Sequence, residues 1–160
     1  MQKQFAQVPE TEPVIVMTHI YDAPRALVWE VFTRPEHLKH WWGPDGFTIE
    51  HDSSDFRVGG HWKFVMVGPD GTHWQNFHQY TAIDAMNSFS HRHGSRPDDP
   101  DAPDEIISFA DRDGGTEVTM RMVFRNMAAR QAVLDFNADT LGLQTMAKAE
   151  AYLNQVDISL

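Results

Sequence analysis

Among the nine histidines of the chain, His78, His91 and His93 stand out by their spacing. Phe89, His91 and His93 alternate along a run with strand character, so their side chains share one face. Trp74, His78 and Tyr80 share a parity on the preceding run, provided no bulge intervenes. Brought together across a sheet, such a set can do three things. It can sit as hydrated polar groups at a pocket mouth or sheet edge. It can orient a polar or acidic ligand or move a proton, because imidazole titrates near neutral pH. It can also hold zinc, with two histidines from one strand and one from its neighbour. No carboxylate or cysteine visibly completes a metal set, so the sequence reading includes no metal and no cofactor. Other groupings carry less. Gly59-Gly60 and Gly114-Gly115 lack the strand–glycine–helix setting of a phosphate loop. Ser53-Ser54-Asp55 has no visible histidine partner for a nucleophile. His61 has the parity opposite to Trp62 and is expected to face solvent. Asn137 and Asp139 are candidates for polar groups facing a cavity.

The elements that must position these residues follow from periodicity. Residues 14–21 read as a strand, ended by Asp22-Ala23-Pro24, where Asp22 can cap a helix and proline suits the first turn. Leu27, Val28, Val31 and Phe32 have helical spacing. Pro35 breaks that helix and opens a short second one, ending near Trp41-Trp42-Gly43-Pro44. Residues 47–52 form a short strand. Trp62, Phe64 and Met66 then alternate with His61, Lys63 and Val65, the pattern of a half-buried strand. Gly68-Pro69-Asp70-Gly71 is a hairpin turn. Strands follow at 74–83, 88–93, 105–110 and 117–125, the last presenting Val118, Met120 and Met122 on one face. Residues 128–156 contain no proline and read as one long helix with an apolar stripe of Phe136, Leu143, Met146, Ala149 and Leu153.

The length suits one domain: residues 13–156, preceded by a polar, flexible segment at 1–12. A hydrophobic fraction of 41% argues against wholesale disorder. A formal net charge of −10 disfavours nucleic-acid and membrane-surface partners. Part of that acidity is local. Residues 96–105 hold five acids and three prolines and read as a solvated loop. No cysteine is present, which removes disulfides, cysteine–zinc sites and thiol chemistry. No apolar run approaches membrane-spanning length and no secretory signal pattern opens the chain, so a cytoplasmic location is expected.

Asp22-Ala23-Pro24-Arg25-Ala26-Leu27-Val28-Trp29, Trp41-Trp42-Gly43-Pro44, Arg57-Val58-Gly59-Gly60-His61-Trp62-Lys63-Phe64 and Gly68-Pro69-Asp70-Gly71-Thr72 occur in this order. Together they resemble bacterial proteins similar to the C-terminal domain of the heat-shock-protein-90 ATPase activator, in the START-like (SRPBCC) helix-grip superfamily. The resemblance spans residues 13–153. It implies an α+β helix-grip fold: a curved antiparallel sheet around a long C-terminal helix, with two short helices after the first strand. It also implies a cavity between the concave sheet and that helix, with Trp41, Trp62, Phe64, Met66, Trp74, His78, Tyr80, Phe89, His91, His93, Met120, Met122 and Met146 as candidate lining. In sequences like this one, the positions of His91 and His93 usually hold apolar residues and that of His78 more often glycine. Fold does not settle function. The superfamily includes carriers, receptors, cyclases and sequestering proteins. Chaperone activation is not expected, since the eukaryotic activator needs an additional N-terminal domain for it. Binding or sequestering of a hydrophobic or aromatic small molecule leads. An enzyme of cyclase, dehydratase or hydrolase type using the histidines as acid or base is the alternative. A homodimeric interaction module is a third.

Overall fold

The computed structural model describes residues 3–156. In chain order the elements are β1 (Gln4–Gln7), β2 (Val14–Tyr21), α1 (Arg25–Thr33), α2 (Pro35–Trp41), β3 (Thr48–Asp55), β4 (His61–Val67), β5 (His73–Asp84), β6 (Ser88–Gly94), β7 (Asp104–Arg112), β8 (Gly115–Val123), α3 (Met127–Leu134) and α4 (Ala138–Leu153). All eight strands pair antiparallel in one sheet, in the order β1-β2-β8-β7-β6-β5-β4-β3. The helices cover one face, and the sheet's alternation of buried and exposed residues follows from that one-sided cover. Apolar burial supplies most of the drive to form this layer. Ile15, Val28, Val31, Phe64, Ile107, Val118, Met146 and Ala149 are fully buried.

The helix-grip architecture read from the sequence is the one observed, with local differences. Residues 4–7, inside the segment read as flexible, add an edge strand to β2. Arg130 Nη1 donates to the carbonyls of Pro9 and Glu12, which pins the stretch between β1 and β2 against α3. Asp22 does not cap α1. Pro24 holds the N-cap position in extended backbone, and no side chain caps that helix. The expected single C-terminal helix is two. The chain leaves α3 at Asp135, and Asn137 adopts a left-handed backbone (φ 60°) before α4 begins. Asparagine tolerates that conformation better than most residues, which is why the break falls there. Phe136, expected in the buried stripe, is consequently turned out and 78% exposed.

α4 is held at a fixed height above the sheet. Tyr21 Oη donates to the Met146 carbonyl at 2.7 Å. Lys148 Nζ donates to the carbonyls of Pro44 and Phe47 at 3.2 and 3.3 Å, which ties the helix to the loop after α2. Gly142 allows the closest approach: a Cβ there would overlap the sulfur of Met17 on β2.

Candidate functional site

Between the concave sheet and the first turns of α4 lies a cavity of about 330 Å³. Its α4 wall is Ala138, Leu141, Gly142 and Thr145, the spacing of a single helix face. Met17, Met66, Met120 and Met122 line the sheet side, and Trp42 and Phe47 close one end. Trp74, 56% exposed, stands at the rim. Such a lining is apolar and deformable, because methionine reshapes around a guest.

One patch of the wall is polar: Asn76 from β5, His93 from β6 and Glu105 from β7. Its hydrogen bonds form a chain. Asn76 Nδ2 donates to the Trp74 carbonyl at 3.1 Å, which fixes the amide so that Oδ1 meets His93 Nε2 at 3.0 Å. His93 Nδ1 faces Glu105 Oε2 at 3.3 Å, and His91 Nε2 donates to Glu105 Oε1 at 2.7 Å. Both ring nitrogens of His93 therefore face acceptors, an arrangement that favours the imidazolium. Burial would pull the pKa of His93 down, but the adjacent Glu105 charge and their hydrogen bond outweigh it, and the pKa is raised. The 29% of the His93 side chain that remains accessible opens on the cavity. Glu105 is pushed up by burial and pulled down by His93 and by the hydrogen bonds from His91 and His93. The result lies well below the ordinary carboxylate value. The polar patch is thus a buried ion pair presented to an apolar chamber.

Behind that pair the cluster continues. His78 stacks on His91 with ring centroids 4.0 Å apart and planes 8° from parallel, and meets His93 edge-on at 4.5 Å. Burial, reinforced by the facing His91 and His93, holds the His78 pKa well below its usual value. His78 Nε2 and His91 Nδ1 are buried without a hydrogen-bond partner. The two rings border a void of about 10 Å³ shared with Tyr80 and Trp42, close to the smallest space that admits a water. One ring nitrogen of His78, one of His93 and one carboxylate oxygen of Glu105 lie within 4.8 Å of one another. The arrangement can therefore accept a ligand's polar hydrogen, pass a proton, or take a cation.

The family model described as "Activator of Hsp90 ATPase homolog 1-like protein" matches residues 22–154. The chain belongs to that family. A crystal structure of protein Ms6760 from Mycobacterium smegmatis superimposes with a TM-score of 0.84 at 24% identity, covering 96% of this chain and 98% of that one. A solution structure of an Arthrobacter aurescens protein gives 0.85 at 21% identity, covering 98% and 94%. A Nitrosomonas europaea protein gives 0.83 at 22%, covering 92% and 97%. At these identities the likeness speaks for the fold. No curated protein matches the chain.

On this activator-homologue fold, the sequence-picked residues divide by depth. Met66, Trp74, His93, Met120 and Met122 line the cavity. Trp41, Trp62, Phe64, Tyr80, Phe89 and Met146 do not; they are buried in the core. Trp41 Nε1 donates to the Val31 carbonyl, an anchor between the two short helices, and its neighbour Trp42 reaches the cavity instead. His78 and His91 stand behind the polar patch. Asn137 and Asp139 do not line the cavity. Ser53 does have a histidine partner, since its Oγ lies 2.9 Å from His61 Nε2. Neither residue lines the cavity, and His61 stacks on Phe77.

The sequence reading missed Glu105 and Asn76. Glu105 ends the acidic stretch 96–105 and opens the strand expected at 105–110, and it is 3% exposed on β7. Its parity with Ile107 and Phe109 was the available signal, because all three face inward. Asn76 shares the inward parity of His78 and Tyr80. The bulge on β5 falls between Tyr80 and Ala82, beyond these three residues, and leaves that parity intact. Glu105 also places a carboxylate beside His78 and His93, in a group that could hold a metal ion.

Proposed function

We propose that this protein binds a small molecule with an apolar body and one hydrogen-bond donor, such as a phenol or an aromatic amine. The observation that carries the reading is one charged patch in a mostly apolar cavity. A volume of about 330 Å³ sits at the lower end of small-molecule sites. The patch also selects the ligand's polar group. Both His93 nitrogens are already engaged, whereas the Glu105 carboxylate has more lone pairs than donors. On the His93–Glu105 pair what remains is acceptor capacity, so a hydroxyl or amino group suits it and a methyl ether does not.

The test is a thermal-shift panel of phenols against their methyl ethers. Phenols should raise the Tm, ethers should do so much less, and Leu141→Trp, which fills the chamber, should abolish the shift. A ligand at 100 times its Kd stabilises by about 2.7 kcal/mol, well within detection. Equal shifts for phenol and ether, or full shifts in Leu141→Trp, would exclude the proposal.

One feature favours a second, enzymatic reading. The His93–Glu105 pair lies within proton-transfer reach of the cavity interior, as general acid–base chemistry requires. Under that reading His93→Gln removes turnover of a bound substrate while its affinity stays within a few-fold. Turnover that survives in His93→Gln would exclude this reading.

A further inference from the structure

We infer that His78, His93 and Glu105 form a binding site for a borderline divalent transition-metal ion of the zinc class, with its remaining coordination position facing the cavity. The inference goes beyond ligand binding and does not depend on it.

His93 Nδ1 and Glu105 Oε2 are 3.3 Å apart. That is long for a charge-assisted hydrogen bond. It equals the edge of a tetrahedron whose centre lies about 2.0–2.1 Å from each vertex, the usual zinc bond to imidazole nitrogen and carboxylate oxygen. One ring nitrogen of His78 completes a set whose atoms all lie within 4.8 Å of one another, so side-chain adjustments close the remaining distance.

Metal-bound histidines and carboxylates are oriented by partners of their own. Here Asn76 Oδ1 accepts from His93 Nε2 at 3.0 Å, and Asn76 is itself tethered to the Trp74 carbonyl, which leaves Nδ1 as the ligating atom. His91 Nε2 donates to Glu105 Oε1 at 2.7 Å, which leaves Oε2 free to ligate. The three ligands stand on β5, β6 and β7, adjacent strands of one sheet, and such elements hold geometry better than loops do.

His78 is 2% exposed and its Nε2 has no hydrogen-bond partner. A buried polar atom left alone costs roughly 1–3 kcal/mol, so this ring is unusual as mere packing. Two histidines and one carboxylate form a ligand set of catalytic zinc sites, in which the fourth position stays open. Since His93 and Glu105 line the cavity and His78 stands behind them, the open position faces the chamber. The ion would take the place of the proton between His93 and Glu105.

The test uses Zn²⁺ and Co²⁺ alone, added to chelator-stripped full-length protein. Calorimetry should show one zinc per chain, and Co²⁺ should give visible absorption of four-coordinate type. Glu105→Gln and His93→Gln should weaken zinc binding by at least about 100-fold. Asn76→Ala, which removes only a positioning residue, should weaken it by roughly 10-fold. His73→Gln alters an exposed histidine and should change nothing. No zinc bound by the wild type, or unchanged affinity in Glu105→Gln, overturns the inference. So does loss of binding in His73→Gln, which would locate the ion on the surface. Zinc-edge X-ray absorption on the wild type needs no variant. Two imidazoles plus oxygen support the site, and a shell with one imidazole or none overturns it.

Discussion

His19 and His93 each sit 3.3 Å from a glutamate oxygen, yet their protons are held in opposite ways. His19, on β2, meets Glu150 of α4. Burial lowers its pKa, and the Glu150 hydrogen bond and charge do not compensate. His93 suffers burial too, but Glu105 more than compensates and the pKa rises. The distance is the same, so the carboxylates make the difference. The Glu150 side chain is 36% exposed and also lies 3.9 Å from Lys3, so water and a competing cation dilute its field. The Glu105 side chain is 4% exposed and, among the described residues, forms its ion pairs with His91 and His93. Buried there, its charge is screened much less than that of Glu150. Solvent access of the partner, more than its proximity, sets the sign.

The sharpest way to break this contrast is to delete each carboxylate. Glu105→Ala strands a buried cluster and should cost about 3–5 kcal/mol in urea unfolding. A loss below about 1 kcal/mol would show that the pair is not insulated as described. Glu150→Ala removes an exposed partner and should cost less than about 1 kcal/mol. If it costs as much as Glu105→Ala, solvent access is not the deciding variable.

Titration sharpens the comparison further. In metal-free protein, imidazole resonances should place His93 above 6.5 and His19 below it. The stability consequences have opposite signs. For His93 the contribution is full below 6.5 and is lost as pH rises through its raised pKa. For Glu105 it is full above 4.5 and is lost as pH falls through its lowered pKa. For His19 it is full above 6.5 and is lost as pH falls through its lowered pKa. Glu105→Gln should therefore flatten the alkaline limb of the stability profile and leave the His19 limb in place. The smallest effect is expected from Lys3→Ala, which removes a lowering charge and should move His19 up slightly while leaving it below 6.5. A rise past 6.5 would mean that Lys3, rather than burial, governs that ring.

Much of the fold was legible because its signals are local. Alternation around Trp62, Phe64 and Met66 marks a strand, and Pro35 marks a helix start, with no knowledge of distant residues. The cavity was less legible for a physical reason. Alternation tells which face a side chain takes, but not how far along the strand it lies from the covering helices. Trp62, Phe64 and Met66 share one face, and only Met66 reaches the chamber. The histidine cluster was half visible. Parity placed His91 and His93 together, but Glu105 enters through the neighbouring strand β7, directly opposite His91. Its position at the end of an acidic, proline-rich stretch gave it the composition of solvent-facing chain. The helix break at Asn137 was hidden because one left-handed residue leaves no periodic trace.

The contact of Gly142 with Met17 bears on how such a scaffold can diversify. Both residues line the chamber, and a Cβ at position 142 would collide with the Met17 sulfur. The gap between helix and sheet is therefore one methionine thick at that point. A smaller residue at 17 would enlarge the chamber, and a larger one at 142 would lift the helix or shut the chamber. Neither change touches Asn76, His93 or Glu105. Chamber size and the polar chemistry of its wall are thus encoded at separate positions, so each can drift while the other is held fixed.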